Sequence, residues 1–178
     1  MKVEEIFEHE EAISFEEITP PTEEFAQEFE ELKDDIPVEV EVTTKVFEIE
    51  HEGKEIVKSK ITIEVPATKE TLEKGEVLVF IPKEIAQSTD QITFSEKPII
   101  LEKDPLVKWE FKDVPQGSTK AYSYVVDGNA QTYKTIAVAA EKKEIKVQQE
   151  SNSLGAMLFL FIVGIIAAVL IFFFRKKR

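Results

Sequence analysis

The sequence predicts a mainly β fold: a β-sandwich preceded by a short helical acidic arm and followed by one C-terminal transmembrane helix. Three observations predict it. An apolar/polar alternation begins at Pro37 and recurs in short runs as far as Ala139, turn residues separate those runs, and a 21-residue run without charge lies near the end of the 178-residue chain. The divisions that follow are an acidic arm over 1–36, a sandwich over 37–140, a stalk over 141–153, a span over 154–174 and a basic tail over 175–178.

In the arm, Ala12 to Ile18 reads as a short strand ended by Pro20-Pro21. Thr22 is placed to cap a helix whose Phe25, Phe29 and Leu32 recur at helical spacing on one face. That stripe either packs on the domain's own core or binds a partner.

From Pro37 the period is two. Val38, Val40 and Val42 alternate with Glu39, Glu41 and Thr43, while Phe47 and Ile49 fall on the opposite parity. A β-bulge between Thr43 and Val46 would reconcile the two. Glu52-Gly53 reads as a tight hairpin turn, with Ile61, Ile63 and Val65 on the return strand. Thr68 to Lys74, closed by Gly75, reads as one or two helical turns, and Lys83 to Thr89 as a brief helix. Core strands are expected at Val77–Ile81, Ile92–Phe94, Pro98–Leu101, Leu106–Phe111, Lys120–Val126 and Thr132–Ala139. Turn signals separate them at Lys103-Asp104-Pro105, Pro115-Gln116-Gly117 and Asp127-Gly128-Asn129. Short strands at such spacing suggest a sandwich, and the fragment from Pro37 to Val147 is expected to fold alone.

The run Leu154–Phe174 would span ~31 Å as a helix, close to a hydrocarbon core of ~30 Å. Gly164 and Ala168 are spaced for close helix–helix contact. Arg175, Lys176, Lys177 and Arg178 follow at once, and positive charge on that flank favours the cytoplasmic side. The expected topology is therefore tail inside and domain outside. The start MKVEEIFEHEEAISFEEI has no apolar h-region, which keeps a tail-anchored cytoplasmic orientation as the alternative. Neither of two sorting signals, Leu-Pro-x-Thr-Gly or a Pro-Gly-Phe tripeptide, precedes the run, so the anchor is expected to be retained.

The net charge is −13, and its distribution is uneven. Residues 1–36 hold fourteen acidic side chains against two lysines. An acidic exterior argues against nucleic acid, which needs clustered Lys and Arg. The chain has no cysteine, so disulfides, thiolate metal sites and cysteine nucleophiles are excluded. His9 lies among Glu5, Glu8 and Glu10, and His51 flanks a hairpin turn; both read as solvated surface. Asp104 and Asp113 lie in turns, where Asx bonding accounts for them. No phosphate loop or dinucleotide fingerprint occurs. No catalytic, cofactor-binding or metal-binding residue is assigned, no cofactor is expected, and the chain is read as a non-enzyme.

Between Phe80 and Gly128 the elements Ile81-Pro82-Lys83, Ile85-Ala86, Ser88, Asp104-Pro105, Trp109, Phe111, Pro115, Gly117 and Tyr122 to Val126 stand in a recognisable order. This order resembles an immunoglobulin-like β-sandwich module of predicted archaeal cell-surface proteins, a family of unknown function. The resemblance covers about 50 of the 178 residues. It implies an extracellular sandwich next to a C-terminal anchor and carries no activity and no ligand residues. The reading that follows is a membrane-anchored, non-enzymatic surface module with a structural or protein-interaction role. Its expected partners are the lipid bilayer and another membrane or surface protein. Two alternatives stand beside it. One is a tail-anchored cytoplasmic adaptor recruiting a partner through the acidic arm and Phe25, Phe29 and Leu32. The other is an accessory subunit of a membrane complex with Gly164 and Ala168 at a helix interface.

Overall fold

The alternation from Val40 onward builds a long hairpin, whereas Val38, expected in the same strand, belongs to a separate short strand of the other sheet. In a computed structural model that describes residues 1–102 and 105–143, β3 (Val40–His51) and β4 (Lys54–Pro66) form an antiparallel hairpin. Glu52 and Gly53 turn it at φ of 53° and 74°, two consecutive left-handed residues that match the twist of the flanking strands. β1 (Lys2–Ile13) lies along the far side of β3. β9 (Thr119–Asp127) pairs with β4, and β6 (Thr93–Phe94) with β9. This first sheet has the order β1-β3-β4-β9-β6. The second has the order β2-β10-β5-β8-β7, from β2 (Ile36–Val38), β5 (Leu72–Phe80), β7 (Ile99–Glu102), β8 (Leu106–Val114) and β10 (Ile136–Glu141). All pairings in both sheets are antiparallel.

The two sheets close on one apolar interior. Ile61, Ile63 and Val65 of β4 and Tyr122 and Tyr124 of β9 meet Val77 and Val79 of β5 and Val107, Trp109 and Phe111 of β8. Trp109 and Tyr122 stack across the sheets at 5.1 Å between centroids, and Phe94 meets Trp109 edge-on at 5.8 Å. Each buried polar tip finds a partner. Tyr122 Oη donates to the Glu110 carbonyl at 2.9 Å, Trp109 Nε1 donates to the Glu96 carbonyl at 2.9 Å, and the Tyr124 hydroxyl bonds Thr135 Oγ1 at 2.5 Å. Burial pushes both phenols above their ordinary range, so both stay protonated. Ser59 Oγ donates to the Gly128 carbonyl and accepts from the Ala130 amide, each at 2.8 Å, which ties the β9–β10 connection to β4.

The second sheet buries its other face as well. Leu78, Leu106, Val138 and Ala140 point away from the interior and are covered by α1 (Glu23–Leu32) through Phe25, Phe29 and Leu32. Thr22 Oγ1 accepts from the Phe25 amide at 3.1 Å, the expected cap. Of the two readings of this stripe, packing on the chain's own core matches the burial: Phe25 is 0% exposed, and Phe29 and Leu32 are each 4% exposed. The reason is that β5 carries apolar residues on both faces, and α1 is the element that covers the outward one.

Several local expectations differ from the structure. The strand expected from Ala12 to Ile18 is β1, which begins at Lys2 and ends at Ile13, and Phe15–Glu17 is a 3-10 turn. Residues 1–36 thus supply a sheet edge and the helical cover. A fragment starting at Pro37 would bare Leu78, Leu106 and Val138. No bulge interrupts β3, because its register with β4 runs unbroken from Glu41–Glu64 to His51–Lys54; the shift falls in β1, between Glu5 and Phe7. Residues 68–74 are not helical, because Leu72 belongs to the interior and starts β5. Pro82 to Ala86 makes a single turn, with the amides of Ile85 and Ala86 both donating to the Pro82 carbonyl. Glu141, expected to open the stalk, closes β10 and accepts from the Glu73 amide at 2.7 Å. The stalk beyond Lys143, the run 154–174 with Gly164 and Ala168, and the tail Arg175–Arg178 lie outside the described residues, as do Lys103 and Asp104. Among the described residues no helix is long and apolar enough to cross a membrane.

Charge is also built into the covered face. Lys108 reaches Glu76 at 3.3 Å and Glu28 of α1 at 3.5 Å, and Lys142 pairs with the other oxygen of Glu76. Burial raises the Glu76 pKa, but the two lysines outweigh it and hold the carboxyl below its ordinary value. A depressed folded pKa gives stability that is present above the unfolded value of about 4.3 and lost as pH falls through the folded one. The unfolding midpoint should therefore fall on acidification in that window, and Glu76→Gln should flatten this part of the profile. An unchanged acid slope in the variant would assign the effect elsewhere. Trp109→Ala should cost about 3–5 kcal/mol, the range for a large aromatic truncated in a core. Denaturant unfolding followed by circular dichroism measures it, and a midpoint equal to the parent's would contradict the burial described above.

Candidate functional site

A sandwich strand normally keeps its apolar residues on one face. β3 does so as far as Val46, with Val40, Val42 and Val46 buried, and β4 does so with Ile61, Ile63 and Val65. Toward the hairpin tip the polarity inverts. Because the register never slips, Phe47 and Ile49 of β3 and Ile56 of β4 take the outer face. Val3 is the partner of Ile49 on β1, and Ile49 the partner of Ile56, so Val3, Ile49 and Ile56 form one row across three strands. Phe47 stands in the next row on the same face, between Glu5 and Lys58. Val3 is 52% exposed and Ile56 42% exposed. β9 stops pairing with β4 at Lys58–Asp127, so the tip is a three-stranded ribbon.

The opposite face of that ribbon is acidic. Glu48 lies between Glu4 and Val57, and Glu50 between Lys2 and Glu55. A side-chain hydrogen bond shared with Glu55, and the charge of Glu55, push the Glu48 carboxyl above its ordinary value. Glu55 is exposed and Glu48 partly so. The tip thus presents one apolar face and one acidic face, an arrangement suited to contact with another macromolecule.

The remaining surface holds three shallow depressions among those described. One of about 180 Å3 is lined by His9, Glu11, Thr44, Tyr133 and Lys134, and the Lys134–Glu11 ion pair at 2.5 Å crosses it. Those beside Thr22 and Phe80 and beside Phe15 and Pro37 measure about 270 and 310 Å3. All are open and near or below the low end of the roughly 300–1,000 Å3 usual for small-molecule sites. His51 Nε2 lies 3.8 Å from Glu52 at the hairpin turn. Among the described residues no group of three or more His, Asp or Glu side chains is placed to hold a metal ion. Of the residues singled out in the sequence, Phe25, Phe29 and Leu32 are brought together, but under the second sheet. The row Val3, Ile49 and Ile56 was not anticipated. Its signal was the parity change at Phe47, which a bulge would have absorbed.

Comparison with protein-family models, with curated proteins and with solved structures returned no match.

If the row serves contact and not folding, replacing it should leave the fold intact. The double variant Val3→Thr, Ile56→Thr is expected to stay within about 0.5 kcal/mol of the parent, as exposed substitutions do, while binding less of an apolar dye such as ANS. A loss of several kcal/mol in denaturant unfolding would show that the row is structural.

Proposed function

We propose that this chain is a membrane-anchored, non-enzymatic surface module that displays a β-sandwich for structural or protein-interaction purposes. The observation that carries the reading is the uncharged run Leu154–Phe174 followed directly by Arg175, Lys176, Lys177 and Arg178. The described part supports a binding role over a chemical one in a specific way. Its interior is filled from both sheets, its buried side-chain polar atoms are all partnered among the described residues, and the hairpin end sets the exposed Val3 and Ile56 in one row with Ile49.

The immunoglobulin-like assignment belongs to the same proposal. The succession of a Trp strand, a Gly turn and a Tyr strand supports it, as in β8 with Trp109, Gly117 and β9 with Tyr122, although β8 and β9 lie in different sheets. The strand count departs from that family: constant-type domains divide four and three, whereas the described sheets have five strands each. β1 and the helical cover α1 are part of that departure.

The tail-anchored adaptor shares the span but assigns partner binding to Phe25, Phe29 and Leu32, side chains that α1 already commits to its own sheet. Protease added to intact cells should remove the sandwich while an epitope placed after Arg178 survives. Protection of the sandwich until the membrane is broken would reverse the orientation and favour the adaptor.

A further inference from the structure

The exit from the sandwich is clamped. The Lys142 amide donates to the Lys74 carbonyl at 2.8 Å, and the Lys143 amide to Asp35 Oδ1 at 3.2 Å. Beyond this point the chain continues toward 154–174. Lys74 is the direct cross-strand partner of Lys112. Lys142, just past β10, Lys74 of β5 and Lys112 of β8 therefore stand side by side. Like charges on directly opposed positions destabilise a strand pair, so a row of three lysines asks what offsets it. Lys142 is neutralised by Glu76, and Lys112 lies 3.7 Å from Asp113 with both side chains three-quarters exposed. Among the described residues Lys74 enters no ion pair, although Glu110 stands on the row behind.

This end is electrostatically unlike the rest. The segments 33–35, 67–74, 112–118 and 142–143 meet there, joined by the Gly117 amide to the Ala67 carbonyl and by Gln116 to Thr71 and Lys69. With Glu141, whose carboxylate accepts from the Glu73 amide, they carry six lysines (Lys33, Lys69, Lys74, Lys112, Lys142 and Lys143) against six carboxylates, so this end is neutral. The other residues up to 143 carry twenty-seven acids against eleven lysines. The acidic hairpin turn Glu52-Gly53 lies at the opposite end of β4, whose 13 residues span ~43 Å.

We propose that this lysine-bearing end rests on the phosphate headgroups of an anionic bilayer, with the β3–β4 tip held away from it. The inference builds on the anchored reading. An anionic surface repels the strongly acidic body and not this end, so a sandwich tethered here is turned one way. Lys74 and the exposed Lys112 supply the attraction, at short range, since salt screens it over ~10 Å at 0.1 M.

The test uses the full chain in nanodiscs of phosphatidylcholine alone or with phosphatidylglycerol, with lysine reactivity toward an amine reagent read by mass spectrometry. Lys74 and Lys112 should label severalfold more slowly in the anionic discs at low salt and recover at high salt. Lys54 and Lys58, at the far end, should label alike in both. Equal rates for Lys74 and Lys112 in both lipids would overturn the proposal while leaving the anchor standing. A chain that does not enter discs at all would overturn the anchored reading and the proposal with it. Protection by inorganic phosphate in phosphatidylcholine discs, matching that by phosphatidylglycerol, would reassign the row to a soluble anion.

Discussion

The organisation of the described chain depends on one strand that is buried on both faces. In β5, Val77 and Val79 point into the sandwich and Leu78 points out of it, and all three are 0% exposed. A sandwich needs only one buried face per sheet, so the outward one requires a separate cover. α1 is that cover, and its composition follows from the task. Phe25, Phe29 and Leu32 face the sheet while Glu23, Glu24, Glu30 and Glu31 remain toward water. The aromatic contacts are graded around Phe29, which lies 4.7 Å from Phe15 and 5.9 Å from Phe25. Without this helix the second sheet would expose a contiguous apolar surface of the kind that promotes association.

The same cover explains why the acidic segment belongs to the fold. To reach β5, the chain runs first along β3 as β1, so the first twelve-residue strand becomes the outer edge of its sheet. A long edge strand offers free amides and carbonyls to any other strand, and charge is the usual protection. Glu5 and Glu8 share Lys45 across to β3, and Glu11 takes Lys134 from the β9–β10 connection, so much of the acid is placed in pairs with neighbouring elements. Such exposed pairs contribute little to stability individually. Their consistent effect is that two copies of β1 meet with like charge. The other exposed edges are short: β2 has three residues, β6 two and β7 four.

Most of the sandwich was legible because alternation and turn chemistry agree. Val40 to Val42, Ile61 to Val65 and Tyr122 to Val126 each announce a half-buried strand, and Glu52-Gly53, Gly117 and Gly128 provide the left-handed residues between strands. Val38, on the same parity as Val40, falls in β2 of the other sheet after a break at Glu39. Thr22 was legible as a cap because the helix it starts is short and its stripe regular. The misreadings share a cause, which is that local pattern does not show what stands opposite. Residues 68–74 have helical composition, yet Gly75 must lie flat under the Phe111 ring: a Cβ there would come within 2.2 Å of Phe111 Cζ. Only a strand places Gly75 against β8 in that way. The parity change at Phe47 was legible as a pattern, but its cause was not. A bulge keeps all apolar residues on one face, whereas an unbroken register puts some outside, and only the pairing partners distinguish the two.

The unbroken register separates two jobs along one hairpin. From Val40 to Val46, β3 serves the interior, and from Phe47 to the turn it serves the surface, with no irregularity between. A bulge would have returned Phe47 and Ile49 to the core face, but β9 ends at Asp127, so no neighbour on that side extends the sheet to receive them. Keeping them outward costs exposed apolar area at the tip. It also leaves the inward face to Glu48 and Glu50, which solvent reaches. The result is a sandwich whose two ends differ in chemistry. Lysines gather where the chain leaves, and an acidic ribbon with an apolar row stands a full strand length away. That polarity does not follow from folding, since the interior closes between Val40 and Val65 without it. It is the feature of the described chain that most needs a cause outside the chain.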